Sequence, residues 1–182
     1  MLVAISGTPG TGKTSVSKIL EQHGFEVFDL NKLSVEKGFV VGFDKKRGSR
    51  IVDVDKLDRY VGGFSKGKNL VFFEGHLSHL LKNMDKVIIL RCHPSVLKKR
   101  LAEKNWNKEK IKENVEAEVL DIVLCESVEN HHRKNIFEID TTDKTVDQVA
   151  SCVLEVVENK FKPMKKYNIG YIDWSEEILK EF

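Results

Sequence analysis

The stretch AISGTPGTGKTS, residues 4–15, follows an apolar start and contains three glycines, a lysine and two adjacent hydroxyl residues. Residues 7–14 read G-T-P-G-T-G-K-T and match the pattern G-x-x-x-x-G-K-S/T of a phosphate-binding loop. Glycines let successive backbone N–H groups turn inward around phosphate oxygens, and the following helix directs its positive end at the same charge. The apolar run before the motif and the helical pattern after it are the context that such a loop requires. The sequence therefore predicts a nucleoside triphosphate site near its N-terminus.

The side chains of this loop have expected chemical roles. Lys13 supplies a cation for the β- and γ-phosphates, and the Thr14 hydroxyl is placed to ligate Mg²⁺. The glycines do not have the G-x-G-x-x-G spacing of dinucleotide-binding folds. The N-K-x-D motif with which GTPases recognise guanine is also missing. The similar NKLS at residues 31–34 lacks the aspartate and lies too close to the N-terminus. The residues expected to surround the nucleotide are Gly7, Thr8, Pro9, Gly10, Thr11, Gly12, Lys13, Thr14 and Ser15.

Short apolar runs alternate with segments of helical period along the rest of the chain. Helical patterns follow the phosphate loop and the fourth apolar run, a long one occupies residues 107–135, and the last occupies 145–161. The alternation predicts βαβ crossovers, and hence an α/β fold with a five-stranded parallel sheet and helices on both faces. The predicted strands are residues 1–6, 25–30, 69–75, 85–92 and 135–140.

The segment 31–68 is less regular than the rest. It is rich in glycine and carries a cluster of basic residues around position 47. We interpret it as a helix, a glycine-rich loop and a second helix that starts near Asp53.

The tail, residues 161–182, follows a main domain that we expect to span residues 1–160. Its aromatic residues include Tyr167, Tyr171 and Trp174, and it is expected to end in a short helix capped near residue 173 or 175. The aromatic side chains either pack on the domain or cover a partner site.

The composition narrows the class of protein. The chain has 182 residues, of which 41% are hydrophobic, and this suits one compact domain. Its 30 basic and 28 acidic side chains leave a formal charge of +2, so there is no strong signature of direct nucleic-acid binding. No apolar run approaches the ~20 residues that cross a bilayer, and no membrane association is expected. Three widely spaced cysteines are interpreted as buried free thiols of a cytoplasmic protein: Cys92, Cys125 and Cys152.

In the segment LVFFEGHLSHLL, residues 70–81, the predicted strand contains an apolar run that is followed directly by the carboxylate of Glu74. Glu74 is expected at the end of a strand beside the first one, where it can reach magnesium or its waters. His76 is interpreted either as a functional group or as an ordinary capping or surface histidine. His76 and His79 could face the same way on a helix, but with no third ligand the pattern argues against zinc.

Four segments together resemble one known family. They are GTPGTGKTS at 7–15, the E-x-H of Glu74 and His76, LRCHPSVLKKRL at 90–101, and KNWNKEKIKENVEAEV at 104–119. They are similar to the atypical adenylate kinases of the isoenzyme-six type, which combine adenylate kinase and ATPase activities with a role in small ribosomal subunit maturation. The resemblance covers residues 1–159. It implies a nucleoside monophosphate kinase fold with a monophosphate-binding region at about 31–68 and a short lid at about 104–110.

The resemblance assigns roles residue by residue. The phosphate loop matches without gaps, whereas Glu74 stands where the family has aspartate in its D-x-H. After R-L the family lid carries arginine, glycine and an aromatic residue; this chain has Arg100 and then Lys104, which keeps the charge but not the planar fork of arginine. The family can use an arginine near residues 33–37 for the monophosphate. None is present there, and the candidates for that cation are Lys32, Arg47 and Arg50.

The activity implied is transfer of the γ-phosphoryl group of ATP to AMP or another nucleoside monophosphate, with Mg²⁺. Such transfer needs alignment and charge neutralisation, which Lys13, the loop amides, Arg100 and Lys104 would provide, and it needs no general base. A histidine beside Glu74 suits hydrolysis, where a water must be positioned. The alternative is therefore an ATP-switched assembly factor whose partner is a small-subunit ribosomal protein of the platform. A P-loop kinase of a small metabolite such as shikimate is a further alternative.

Overall fold

The computed structural model describes residues 1–45, 48–66 and 69–177. Seven strands and seven α-helices are assigned in these ranges. The strands are β1 (Leu2–Ser6), β2 (Glu26–Asp29), β3 (Val40–Asp44), β4 (Ser49–Val52), β5 (Val71–Glu74), β6 (Lys86–Arg91) and β7 (Ile136–Asp140). The helices are α1 (Lys13–Gln22), α2 (Leu30–Glu36), α3 (Val54–Gly62), α4 (Pro94–Ala102), α5 (Lys108–Val119), α6 (Ile122–Asn130) and α7 (Val146–Glu158).

A five-stranded parallel sheet forms the centre of the molecule, in the order β2-β5-β1-β6-β7. The predicted sheet and its five strands are confirmed. The chain winds from β1 to one edge of the sheet and later returns to build the other half, so the two halves diverge at the carboxyl end of β1. Ligands of open α/β sheets bind in the crevice at such a point. The phosphate-binding loop begins there, directly after Ser6.

The sheet is buried on both faces. Alternate residues of β1 contribute to two different apolar clusters, Val3 and Ile5 to one and Leu2 and Ala4 to the other. Helices α1 and α7 cover the first face, and α2, α3 and α6 cover the second. Such double coverage explains why the predicted strands read as continuous apolar runs rather than as alternating ones.

The segment 31–68 contains a hairpin that the sequence interpretation missed. Strands β3 and β4 pair antiparallel where a glycine-rich loop was expected. Valine, phenylalanine and isoleucine favour strands, and these local preferences prevail over the glycines. The second helix begins where predicted, because the Asp53 carboxylate accepts the Lys56 N–H at 3.0 Å and caps α3. Arg47, one candidate for the monophosphate, lies outside the described residues.

The long helical pattern at 107–135 contains two α-helices, α5 and α6, with a break between them. Helix α5 ends at Val119 and α6 begins at Ile122, with Asp121 between them in the left-handed region at φ 55°. The Asp121 carboxylate pairs with the guanidinium of Arg91. This tertiary ion pair helps hold a backbone turn that helical periodicity alone cannot reveal.

The tail packs along the β7 edge of the sheet. Tyr167 is buried, and its hydroxyl donates a hydrogen bond to Glu155 at 2.7 Å. The Gly170 N–H donates to Glu138 of β7 at 2.6 Å, and the Trp174 ring meets the His93 ring edge-on with centroids 5.0 Å apart. Residues 175–177 are helical; the rest of the predicted terminal helix, 178–182, lies outside the described residues.

Among the helices of residues 1–45, 48–66 and 69–177, none is both long and apolar enough to cross a membrane. The three cysteines are free thiols, but only Cys92 is fully buried. Cys125 is exposed on α6, so the prediction of burial was wrong for this residue.

A capping box fixes the start of α7, and its loss should be measurable. The Thr145 hydroxyl accepts the Gln148 N–H at 3.3 Å, and the Gln148 side chain accepts the Thr145 N–H at 2.8 Å. We expect Thr145→Ala to lower the free energy of unfolding by about 1 kcal/mol, because a helix donor loses its partner. Thr145→Ser keeps the hydroxyl and should stay close to wild type in urea unfolding. Equal stability of the alanine and serine variants would contradict this account.

Candidate functional site

The phosphate loop links β1 to α1 and depends on backbone shapes that favour glycine. Gly7 has a φ of 137°, and a Cβ built there would lie 2.3 Å from the Leu90 carbonyl oxygen. Gly10 has a φ of 98° and approaches the side chains of Leu97 and Leu101 of α4. A side chain at either position would therefore meet both strain and collision. The loop is held against β6 and α4 and opens toward the crevice.

Lys13, the first residue of α1, is buried inside the loop that precedes it. Its ammonium donates hydrogen bonds to the carbonyl oxygens of Gly7 at 2.6 Å and Thr8 at 3.1 Å. Burial lowers the pKa of Lys13 to about 8, against the opposing attraction of Glu74 and Glu118. The loop thus contains a desolvated cation, whose charge an incoming phosphate would stabilise.

Thr14 and Glu74 meet at the mouth of the loop. The Thr14 hydroxyl donates a hydrogen bond to Glu74 Oε1 at 3.1 Å. Glu74 ends β5, pairs in register with Asp29 at the end of β2, and is 4% exposed. Burial, followed by the nearby Asp29 carboxylate, raises the pKa of Glu74. A cation at this point would relieve both effects.

These oxygens fit magnesium. Mg²⁺ prefers oxygen ligands, keeps several waters and takes only one or two protein groups beside substrate phosphates. The Thr14 hydroxyl and the Glu74 carboxylate supply such groups next to the phosphate loop. In the part of the chain that the structure describes, no three histidine, cysteine or acidic residues gather into a self-sufficient metal site. Magnesium would therefore be held together with a nucleotide rather than by the protein alone.

His76 and His79 do not share a face. His76 is exposed and lines the crevice, with its pKa lowered by desolvation there and by the positive charge of Lys13. His79 is buried behind the loop, where its ring is hydrogen-bonded to Ser6 at 2.7 Å and Glu126 at 2.8 Å. A short 3₁₀ turn over residues 78–80 is present instead of a helix on which both rings could face the same way. Only His76 is available to a ligand in the crevice.

The two predicted lid cations occupy different places. Lys104 lines the same crevice as the phosphate loop. Arg100 instead donates hydrogen bonds to the carbonyl oxygens of Thr141 at 2.8 Å and Thr142 at 3.2 Å, in the loop after β7. The structure therefore brings Lys13, Glu74, His76 and Lys104 together in one crevice and leaves Arg100 outside its lining.

The crevice has a volume of about 790 Å³ and extends well beyond the phosphate loop. Helix α5 forms one wall, on which Lys110 lies over the Trp106 ring at 4.2 Å from its centroid. Asn31 and Ser49 of the segment 31–68 also line the crevice, whereas Lys32 and Arg50 do not. One crevice is thus lined both by the phosphate loop and by residues of the segment 31–68. Sequence reasoning did not single out the wall residues Asn31, Ser49, Lys110, Asn114, Glu116, Ala117, Leu120 and Ile122.

A second group of residues that the sequence did not reveal lies beneath the loop. Glu118 is 2% exposed and accepts hydrogen bonds from the Thr8 hydroxyl and from Arg91 Nε at 2.8 Å. Within a helical pattern crowded with charges, nothing marks Glu118 as the buried one. Its contacts come from elements more than 25 residues away in the chain.

Comparison with known proteins places this geometry in a family. The model of a family described as "AAA domain" matches residues 3–121. A protein of Thermococcus gammatolerans, named "Putative adenylate kinase", is 43% identical over 97% of this chain and 94% of its own length. One of Archaeoglobus fulgidus with the same name is 40% identical over 98% of this chain and 94% of its own. The chain therefore belongs to the family of these archaeal proteins.

Solved structures give the fold. A shikimate kinase from Acinetobacter baumannii, in complex with shikimate, has a TM-score of 0.58 and 18% identity, covering 87% of this chain and 93% of its own. A shikimate kinase from Bacteroides thetaiotaomicron has a TM-score of 0.56 and 17% identity, covering 87% of this chain and 98% of its own. At these identities the likeness concerns the fold of P-loop kinases alone.

The buried Lys13 ammonium predicts a pH-dependent difference in stability. Below pH 8 Lys13 is charged in both the folded and unfolded chains, and the folded state carries the full desolvation cost. Between about 8 and the ordinary value of 10.5 the unfolded chain binds more protons, so the free energy of unfolding rises with pH. We expect wild type to gain roughly 3 kcal/mol relative to Lys13→Met across this range.

The measurement is urea unfolding of both proteins from pH 7 to 10.5. Lys18→Met removes an exposed lysine from the same helix and is the matched control. Parallel stability curves for wild type and Lys13→Met would contradict the expected titration.

Proposed function

We propose that this member of the archaeal "Putative adenylate kinase" family is a nucleoside monophosphate kinase that transfers the γ-phosphoryl group of ATP to AMP. One observation carries the proposal: a single crevice joins the phosphate loop, with Lys13 and Glu74, to residues Asn31 and Ser49 of the segment 31–68. In this proposal ATP binds at the phosphate loop, and the monophosphate binds at the part of the crevice lined by Asn31 and Ser49. The names of the relatives support the same substrates.

The reaction depends on positioning and charge. On binding ATP, the Lys13 ammonium exchanges its bonds to the Gly7 and Thr8 carbonyls for phosphate oxygens. The loop amides and the N-terminus of α1 stabilise the same oxygens. Thr14 and, through water, Glu74 would hold a magnesium ion, which would supply positive charge against the charge that builds up on the transferred group. The acceptor phosphate is already ionised at neutral pH, so no residue has to remove its proton.

The lid completes the donor site. We assign residues 104–110 to the lid, residues 31–68 to monophosphate binding, and residues 161–182 to a tail beside a kinase domain of residues 1–160. Lys104 lines the crevice together with the phosphate loop and approaches the moving phosphoryl when the lid closes. Arg100 contacts phosphate only if its bonds to Thr141 and Thr142 are exchanged during that closure.

A second proposed activity is ATP hydrolysis, coupled to a protein partner. His76 is exposed in the crevice close to Glu74, and its lowered pKa keeps the imidazole neutral and able to orient a water. Tyr171 of the tail is 64% exposed and is available to a partner. The resemblance to the isoenzyme-six type suggests maturation of the small ribosomal subunit in the cytoplasm, with a ribosomal protein of the platform as the partner.

The kinase proposal predicts that turnover of ATP depends on AMP. Purified protein with ATP and Mg²⁺ should form two ADP per ATP consumed when AMP is present, and little free phosphate without it. Lys13→Met should lower the AMP-dependent rate at least 100-fold, since it removes the cation that balances the transferred charge. Slow phosphate release that is indifferent to AMP would overturn the kinase proposal and favour the partner-switched ATPase.

The role proposed for His76 predicts a selective loss. We expect His76→Ala to lower phosphate release in the absence of AMP about tenfold, while ADP formation with AMP changes less than twofold, because only hydrolysis needs an oriented water. His132→Ala, at an exposed position outside the crevice lining, is the control for loss of a histidine. Equal losses of both activities in His76→Ala would exclude a hydrolytic role.

A further inference from the structure

We propose that Glu118 is a positioning residue. It holds the phosphate loop in its nucleotide-binding conformation by accepting a hydrogen bond from the Thr8 hydroxyl. The inference rests on the proposed use of the loop for ATP. It concerns a buried residue of α5 that is not part of the crevice lining. Glu118 does not touch the nucleotide and acts only through the loop.

Glu118 reaches the loop from a rigid position. One carboxylate oxygen, Oε2, accepts a hydrogen bond from the Thr8 hydroxyl. The other, Oε1, accepts from Arg91 Nε at 2.8 Å and from the Cys92 N–H at 3.1 Å. The carboxylate is almost fully buried, so water does not compete for these bonds. The side chain therefore has one orientation, which fixes the place of the Thr8 hydroxyl.

Thr8 in turn controls the rest of the loop. Its carbonyl oxygen accepts hydrogen bonds from the Thr11 N–H at 3.3 Å, the Thr11 hydroxyl at 3.0 Å and the Lys13 ammonium at 3.1 Å. One peptide unit thus determines both the turn of the loop and the resting place of its cation. A hydroxyl anchor on this residue limits how far that unit can rotate.

The same carboxylate links the loop to the crevice wall. Lys110 and Asn114 of helix α5 line the crevice, and one turn after Asn114 the Glu118 side chain reaches the loop. Because α5 begins within the proposed lid, the bond between Glu118 and Thr8 fixes the distance from the loop to this wall. Loss of the bond through a change of Glu118 should weaken ATP binding even though every residue of the phosphate loop is still present.

Three variants separate this role from general stability. Thr8→Val removes only the hydroxyl, Thr8→Ser restores it, and Glu118→Gln removes the charge at nearly constant volume. Glu138→Gln is the matched control, because Glu138 also binds Arg91 but its other oxygen accepts from Gly170 in the tail rather than from the loop. The measurement is the Kd of MgATP by calorimetry without AMP, beside the thermal unfolding temperature of each protein.

We expect Thr8→Val and Glu118→Gln each to raise the Kd about tenfold, the effect of one buried, charge-assisted hydrogen bond. Thr8→Ser should stay within about twofold of wild type. Glu138→Gln should lower the unfolding temperature and leave the Kd unchanged. The Thr8→Val/Glu118→Gln double variant should bind no more weakly than the worse single variant, because both changes break the same bond.

Several outcomes would overturn the inference. Wild-type Kd values in Thr8→Val, additive losses in the double variant, or an equal loss of affinity in Glu138→Gln would each show that Glu118 acts as a stabilising core residue only. If Glu118→Gln fails to fold, the comparison of Thr8→Val with Thr8→Ser still decides. A wild-type protein that binds no MgATP would instead refute the proposed function, and this inference with it.

Discussion

The buried guanidinium of Arg91 joins parts of the structure that are far apart in the chain. It ends β6 and contacts carboxylates from α5, the turn before α6 and β7: Glu118, Asp121 and Glu138. Removing two or more charges from water is costly, and only a full set of partners compensates for it. The arginine therefore requires α5 to stop, the chain to turn at Asp121, and β7 to lie beside β6. This ion-pair network positions α5, which forms a wall of the crevice, and Glu138 of β7, which accepts a hydrogen bond from Gly170 of the tail.

The same arrangement sets the electrostatics of the crevice. Lys13 is buried between two carboxylates, Glu74 on the crevice side and Glu118 beneath the loop. Because the effect of burial is larger than their attraction, the charged form of Lys13 is destabilised. Its ammonium donates hydrogen bonds to carbonyl oxygens of its own loop. The negative charge of Glu74 is also destabilised, first by burial and then by the nearby Asp29 carboxylate in the sheet. A phosphate with a divalent cation would satisfy both sites at once, and this supports the proposal that the crevice binds a magnesium nucleotide.

Much of the fold could be predicted because its signals are local. The five strands are short apolar runs, and the loop at 7–14 has a motif whose spacing leaves few alternatives. The hairpin at 40–52 was missed, because glycine-rich segments with strand-forming residues suit both loops and hairpins. The break at Asp121 was missed, because helical periodicity continues through it and only the pairing with Arg91 shows the turn. The shared face considered for His76 and His79 is absent for a similar reason, since a 3₁₀ turn and a helix share their short-range pattern.

The sequence by itself determined the α/β class, the phosphate loop and the carboxylate of Glu74 at the end of a neighbouring strand. These depend on hydrophobic period and on contacts within a few residues, which the order of amino acids contains directly. Only the tertiary structure decided which charges are buried, that Lys104 and not Arg100 lines the crevice, and that Asn31 and Ser49 line it as well. Burial and charge pairing depend on segments that meet after the sheet has formed, and a one-dimensional pattern does not contain those distances.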